Sequence, residues 1–189
     1  MKDITKRIPL ILKELRQQRG WSLDKTAEKT GVSKAMLGQI ERQESSPTIT
    51  TLWKIASGFD TTFSSFLEDA TDNLHEPVFR PSKVKDIHPA DKKFRVAPLF
   101  PFDKKLNCEI FLIEILPTYE HLSPPHQAGV VEHIIVVDGT MEVLVNKKWK
   151  TLHKGEGLRF NANQPHGYRN TTQEIACFHD IIHYPGKMS

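Results

Sequence analysis

Between Leu23 and Arg42 the chain reads LDKTAEKTGVSKAMLGQIER, and two short helices joined by a glycine turn follow from it. Ser22 is a good N-cap for a helix carrying Leu23, Ala27 and Thr30, and Gly31 supplies the residue that a tight helix-ending turn needs. Ser33 caps a second helix in which Met36, Leu37 and Ile40 recur at helical spacing. Ala27 is small where two steeply crossed helices must come close, and Leu37 with Ile40 is apolar where the second helix must lie on the first. Two helices joined by a short glycine-containing turn form the helix-turn-helix that reads DNA.

Working outward, residues 1–69 form a five-helix unit. Leu10, Ile11, Leu12, Leu15 and Trp21 supply the apolar side of helix 1, which ends at Gly20. Pro9 is awkward inside a helix, so the regular part is expected to begin near Ile8 or to kink there. Ser46-Pro47-Thr48 is a start signal for helix 4, with Pro47 in its first turn and Gly58 at its end. A last short helix near Thr62–Leu67 brings Phe63, Phe66 and Leu67 to the core. Residues 70–93 carry three prolines, many charges and little periodicity, and read as a linker. From Phe94 to Ser189 the pattern turns to strands (FRVAPLF, CEIFLIEIL, EHIIVV, MEVLV, GLRF, EIACFHDIIHY) separated at short intervals by proline, glycine and asparagine, as in an all-β sandwich or barrel. Asn146-Lys147-Lys148 marks a hairpin turn. The fold class is α+β in two domains, all-α followed by all-β.

Composition narrows the function. Hydrophobic residues are 38% and charged residues 26% of the 189, the balance of an ordinary soluble chain. No apolar run reaches the length of a membrane span, and the N-terminus is too charged for a signal peptide, so a cytoplasmic protein with no membrane partner is expected. Cys108 and Cys177 have no CxxC spacing and suggest reduced thiols rather than a disulfide framework. Residues 1–58 hold eleven Lys/Arg against six Asp/Glu, whereas the remainder holds fifteen against seventeen. A basic first third suits a surface that follows phosphates.

Helix 3 is the candidate reading helix. Its first turn presents Lys34, Ala35 and Gly38 on the side away from Leu37 and Ile40, with Gln39 one turn on. Lysine donates to guanine acceptors, glutamine pairs with adenine, and alanine meets a thymine methyl. Gly38 costs a helix about 1 kcal/mol against alanine, explained either by close approach to DNA or by a tight internal contact. Ser33, Ser46 and Thr48 lie at helix N-termini, where amides and hydroxyls suit phosphate, although each is also an ordinary cap. Arg16, Arg19 and Arg42 are candidate phosphate contacts or simply solvated charges.

Seven of the nine histidines fall in the second domain: His121, His126, His133, His153, His166, His179 and His183. Two segments are organised: PPHQAGVVEHIIVVDG, with His126, Glu132 and Gly139, and GEGLRFNANQPHGYRN, with Gly155 and Pro165-His166. A carboxylate and two imidazoles at one end of a barrel suit a divalent ion, while the alternative is polar residues at strand ends facing water.

On these residues the chain resembles a known combination. The N-terminal unit is similar to the XRE (Cro/C1-type, lambda-repressor-like) helix-turn-helix family. Glu132 with Gly139, and Gly155 through His166 to Asn170, resemble the two motifs of the cupins, the RmlC-like double-stranded β-helix barrels. The strings RQQRGWSL, GVSKAMLGQIER, ESSPT, GEGLRF and PHGYRN resemble the sulfur-utilisation (SutR-like) branch of HTH–cupin regulators. The resemblance implies metal ligands at His126, Glu132 and His166, with zinc favoured over redox iron because Ala128 stands where cupins usually place a further histidine. His133 is the alternate if a bulge breaks strand alternation. His179 and His183 share one face of the last strand; His179 is a further alternate ligand, and both, with Phe160 and Tyr168, are candidates for an effector pocket. The function implied is a homodimeric transcriptional regulator, binding an inverted-repeat operator in double-stranded DNA and sensing a small, sulfur-related effector. The alternative is a metal-dependent oxygenase or isomerase tethered to DNA, against which Ala128 counts.

Overall fold

The computed structural model describes residues 4–67 and 92–186, so most of the segment read as a linker lies outside the described residues. The chain divides into two compact units, Met1–Ala70 and Thr71–Met188, and no described helix is long and apolar enough to cross a membrane.

Among the described residues the first unit has four α-helices: α1 (Ile4–Gln18), α2 (Leu23–Thr30), α3 (Lys34–Glu41) and α4 (Ile49–Gly58). Where a fifth helix was expected, Ser64–Phe66 forms a single 3-10 turn, enough to bury Phe63, Phe66 and Leu67. Helix α1 runs through Pro9 and starts earlier than expected, because losing one hydrogen bond so near the N-terminus leaves most of the ladder intact. Leu10 is 56% exposed, so the buried side of α1 is Ile8 and Leu12 instead. Helix α4 is capped by Thr48, whose side chain accepts from Thr51 N–H; the helix therefore begins after Pro47 rather than around it. Leu12, Leu37, Ile40, Leu52, Ile55 and Phe59 close the core, each worth about 1.5–3 kcal/mol of burial. Gly58 sets the close approach of α4 to α2, since a Cβ there would lie 2.6 Å from Thr30 Cα.

Among the described residues the second unit has nine strands in two antiparallel sheets. They are β1 (Phe94–Asp103), β2 (Cys108–Ile115), β3 (Tyr119–Ser123), β4 (Val131–Asp138), β5 (Thr140–Val145), β6 (Lys148–His153), β7 (Gly157–Asn161), β8 (His166–Asn170) and β9 (Ala176–His183). One sheet is ordered β1-β2-β9-β4-β7 and the other β3-β8-β5-β6. Alternation is strict on β2 and β9, so Phe111, Ile113, Phe178 and Ile182 point inward between the sheets. Strand β3 gave no apolar signal because its inward residues are His121 and Ser123 while Leu122 faces out. Asn146 and Lys147, both at positive φ, turn the β5–β6 hairpin, and Lys148 already pairs with Val145.

Candidate DNA-reading helix and metal centre

In the helical unit, Ser22 and Ser33 accept from Lys25 N–H and Met36 N–H, and Gly31 ends α2 in the left-handed conformation. These three positions fix the angle between α2 and α3. A second tie comes from residues sequence reasoning had assigned elsewhere. Arg16 Nε and Nη2 donate to the two oxygens of Glu41 at 2.6 and 2.8 Å, and Nη1 donates to Trp21 O at 3.1 Å. The hydrogen bonds to Glu41 hold the Arg16 guanidinium above its ordinary pKa despite partial burial. Arg16 thus braces α1 against α3 and is committed to Glu41, while the exposed Arg19 donates from Nη2 to Phe59 O at 2.9 Å.

The outward side of α3 and the following turn carries Ser33, Lys34, Ala35, Gln39 and Arg42, all exposed, and Ser46 and Thr48 are exposed just before α4. Lys34 pairs with Asp24 at 2.8 Å and Arg42 with Glu44 at 2.7 Å, exposed contacts that a phosphate can displace at little cost. Gly38 is the correction. It is buried, and a Cβ there would meet Arg42 Nη1 at 3.1 Å and Leu23 Cδ1 at 3.8 Å. The nearer of these atoms is the far end of the exposed Arg42 side chain, which can swing aside, so both explanations of a small residue here, close approach to DNA and an internal contact, stand.

In the β unit three ligand atoms, from His126, Glu132 and His166, lie within 4.8 Å of one another and all three residues are buried. His126 is held by its backbone: its N–H donates to Ala162 O at 2.8 Å, and Ala162 N–H donates to Val130 O at 2.9 Å. Glu132 is the second residue of β4 and points inward, while His166 opens β8 just after Pro165. Tyr168 O–H donates to Glu132 Oε2, which leaves Oε1 facing both imidazoles. His126 Nε2 is 2.9 Å and His166 Nε2 3.5 Å from that oxygen, yet Oε1 has no hydrogen-bond partner.

The His166 ring decides what this arrangement can hold. Its Nδ1 is 2.9 Å from Gln164 O, and a carbonyl only accepts, so Nδ1 carries the proton of the neutral ring. Burial outweighs the attraction of Glu132 and pushes the His166 pKa below the ordinary value. Nε2 therefore directs a lone pair toward Glu132 Oε1, and it is itself buried without a partner. Burial would raise the Glu132 carboxyl, but contact with His126, the imidazole charges and Tyr168 hold it low. A carboxylate oxygen and an imidazole lone pair facing each other without a proton between them fit a cation, and the donor set of two His and one Glu fits zinc.

Phe160 and Tyr168 stand beside the three ligands, with ring centroids 5.3 and 5.9 Å from that of His166. The other pocket and alternate-ligand assignments are corrected. His133, His179 and His183 lie on the outer face of the five-stranded sheet, because β4 and β9 alternate without a bulge at these positions. His133 packs against His183 at 5.2 Å. The inward side chains of β9 are Ala176, Phe178, Asp180 and Ile182. Sequence reasoning missed Asp180 and, on β2, the fully buried Glu109; the signal was an acid at an inward position of an apolar alternation. Ala128 is exposed on the loop after His126.

The helix-turn-helix family model HTH_3 matches residues 12–66, and the cupin domain model Cupin_2 matches residues 111–182. The chain is 44% identical over 188 residues to the HTH-type transcriptional regulator SutR of Escherichia coli, covering 98% of this chain and 99% of the relative. The chain belongs to the XRE helix-turn-helix transcriptional regulators that carry a cupin domain. A crystal structure of an HTH_3 family transcriptional regulator from Vibrio cholerae matches this HTH–cupin regulator with a TM-score of 0.83 and 45% identity, covering 97% of this chain and 99% of that one. The HTH-type transcriptional regulator PuuR of E. coli is 24% identical over 175 residues, 87% of this chain and 88% of the relative. With these relatives the protein is a regulator and not an enzyme.

Proposed function

We propose that this HTH–cupin regulator acts in the cytoplasm as a homodimer on an inverted-repeat operator, and that its barrel senses a small, sulfur-related molecule with the help of a divalent ion, zinc in preference to iron. The observation that supports DNA reading is the open row of Lys34, Ala35, Gln39 and Arg42 on a helix whose angle is fixed by two serine caps and the Arg16–Glu41 pair. One such helix spans about one half-site, so useful specificity calls for two of them on a two-fold-related sequence. Ser33 and Thr48 place helix N-termini and hydroxyls beside the same surface, suited to phosphate. Sensing through a metal is supported by the mismatch between His166 Nε2 and Glu132 Oε1. His126, Glu132 and His166 would hold the ion, with Tyr168 orienting the carboxylate and the Gln164 carbonyl orienting the His166 ring. When bound, zinc supplies an open position for a soft donor such as sulfur.

Footprinting on random and genomic fragments tests the first half. Protection of an inverted repeat is expected, and equal protection of all sequences would overturn it. Lys34→Ala and Gln39→Ala should each cost about 1–3 kcal/mol at the base they read and relax the preference there. Uniform weakening on every sequence would reassign both to phosphate.

A further inference from the structure

The barrel interior holds an acid that the metal centre does not use. Asp180 is 4% exposed, and its Oδ1 is buried with no hydrogen-bond partner. It pairs with Phe111 on β2 and Ile134 on β4. The neighbouring inward row is Glu109, Ile182 and Glu132, so two further buried acids flank Asp180 on the diagonal, where long side chains still meet. Both of those have a phenol: Tyr184 O–H donates to Glu109 and Tyr168 O–H to Glu132. Nothing donates to Asp180 Oδ1.

Charge points the same way. Among the described residues, the buried polar side chains of this unit include three acids and no lysine or arginine. A buried carboxylate without a partner is costly, and an apolar residue of similar size would serve the core better. While no cation is beside it, burial and the charges of Glu132 and Glu109 push the Asp180 carboxyl well above its ordinary range. A neutral acid in that place still lacks a partner for Oδ1. The position is explained by a ligand group that donates hydrogen bonds and brings positive charge.

We propose that Asp180 anchors a primary ammonium group of the sensed molecule, which is therefore a small amine carrying its metal-directed donor a short spacer away. The proposal rests on metal-assisted sensing as argued above, and adds the class of ligand. Glu132 holds the ion's side of the ligand and Asp180, one inward row along, holds the nitrogen.

Calorimetric titration of the zinc-loaded full-length protein with cysteamine and with 2-mercaptoethanol tests it, since the two probes share a thiol and differ in ammonium against hydroxyl. A charge-assisted hydrogen bond predicts that cysteamine binds at least about tenfold more tightly. N-acetylcysteamine should lose that advantage on the unaltered protein, and Asp180→Asn should remove it while leaving zinc stoichiometry intact. Equal affinity for both thiols overturns the ammonium site and leaves metal-assisted sensing standing. A cysteamine preference that persists in Asp180→Asn also overturns it, because the nitrogen is then held by the metal. Failure of both thiols to bind would overturn the sensing itself and the ammonium site with it. Should Asp180→Asn not fold, Asp180→Leu, an apolar residue of similar size among Phe111, Ile134 and Phe178, makes the same comparison, and a cysteamine preference that persists there overturns the site.

Discussion

Adding zinc to metal-free protein should raise the melting temperature of the β unit by a margin that the three ligands set. Glu132 Oε1 and His166 Nε2 are buried without partners, and each such group costs the folded state about 1–3 kcal/mol. An ion on His126, Glu132 and His166 removes that cost and binds the folded form in preference to the unfolded one. At a free zinc concentration about 100 times Kd the gain is about 2.7 kcal/mol. For a unit of about a hundred residues, each kcal/mol moves the midpoint by about 4–8 °C, giving a rise of roughly 10–20 °C. Scanning calorimetry on chelator-treated protein reads this directly. Glu132→Gln keeps the size and the acceptor for Tyr168 but removes the charge and can donate to His166 Nε2, so its metal-free midpoint should hold or rise and its zinc response should fall to a few degrees. The response should also shrink on acidification, because zinc requires neutral imidazoles and an ionised Glu132. Burial keeps His166 neutral to lower pH than usual, so its protonation weakens zinc only below the ordinary histidine range. A wild-type midpoint that zinc does not move, or an equal shift in Glu132→Gln, would refute the assignment of these three residues.

Replacing Arg16 by Met leaves Glu41, with only 10% of its side chain exposed, without its bidentate partner; the helical unit should lose about 1–3 kcal/mol, read by urea denaturation, and an unchanged midpoint would make the pair ornamental. Asp180→Asn should stabilise the metal-free barrel with a definite pH signature. The raised pKa of Asp180 means the folded state binds a proton the unfolded state has released, so its stabilising effect is complete below about pH 3.8 and is lost as pH rises toward the folded value. The variant should therefore match the wild type near pH 3.8 and overtake it increasingly toward neutrality, and a constant difference across that range would place Asp180 in a solvated or paired state.

How much of this could be read from the chain depended on whether local rules or long-range pairing decided each feature. Caps and turns are local, so Ser22, Gly31 and Ser33 fixed α2 and α3 where the sequence pattern placed them. The helix-turn-helix, cupin and regulator assignments agree with the family and the full-length relatives. Arg16 was misread because its partner, Glu41, lies 25 residues away; nothing local distinguishes a bracing arginine from a solvated one. Gly38 was placed on the open side by helical spacing, yet its Cα lies beneath Arg42. On β9 the alternation was visible, but its phase was not. Histidines drew attention to the outer face, and the inner one, with Asp180 between Phe178 and Ile182, appears only once Phe111 and Ile134 are paired with it. His126, Glu132 and His166 were named in the sequence; that their donors converge on one oxygen is a product of the β4 position, the Ala162 tether and the Gln164 carbonyl.

The distribution of unmatched groups separates the two units by role. Among the described residues, every buried side-chain atom without a hydrogen-bond partner lies in the β unit: on Arg95, Glu132, His133, His166 and Asp180. In the helical unit the buried hydroxyls of Thr30 and Thr26 are satisfied, donating to the carbonyls of Thr26 and Ser22. A reading head has to present a fixed surface, and full internal satisfaction serves rigidity. A sensor has to be able to gain something when its ligand arrives, because a ligand shifts an equilibrium only by its differential interaction with the two states. Glu132, His166 and Asp180 store that differential inside the barrel as unmade contacts. On the proposed reading, the three residues that weaken the empty barrel are the ones through which a metal and a small amine would change its free energy, and substitutions that relieve the cost should also blunt the response.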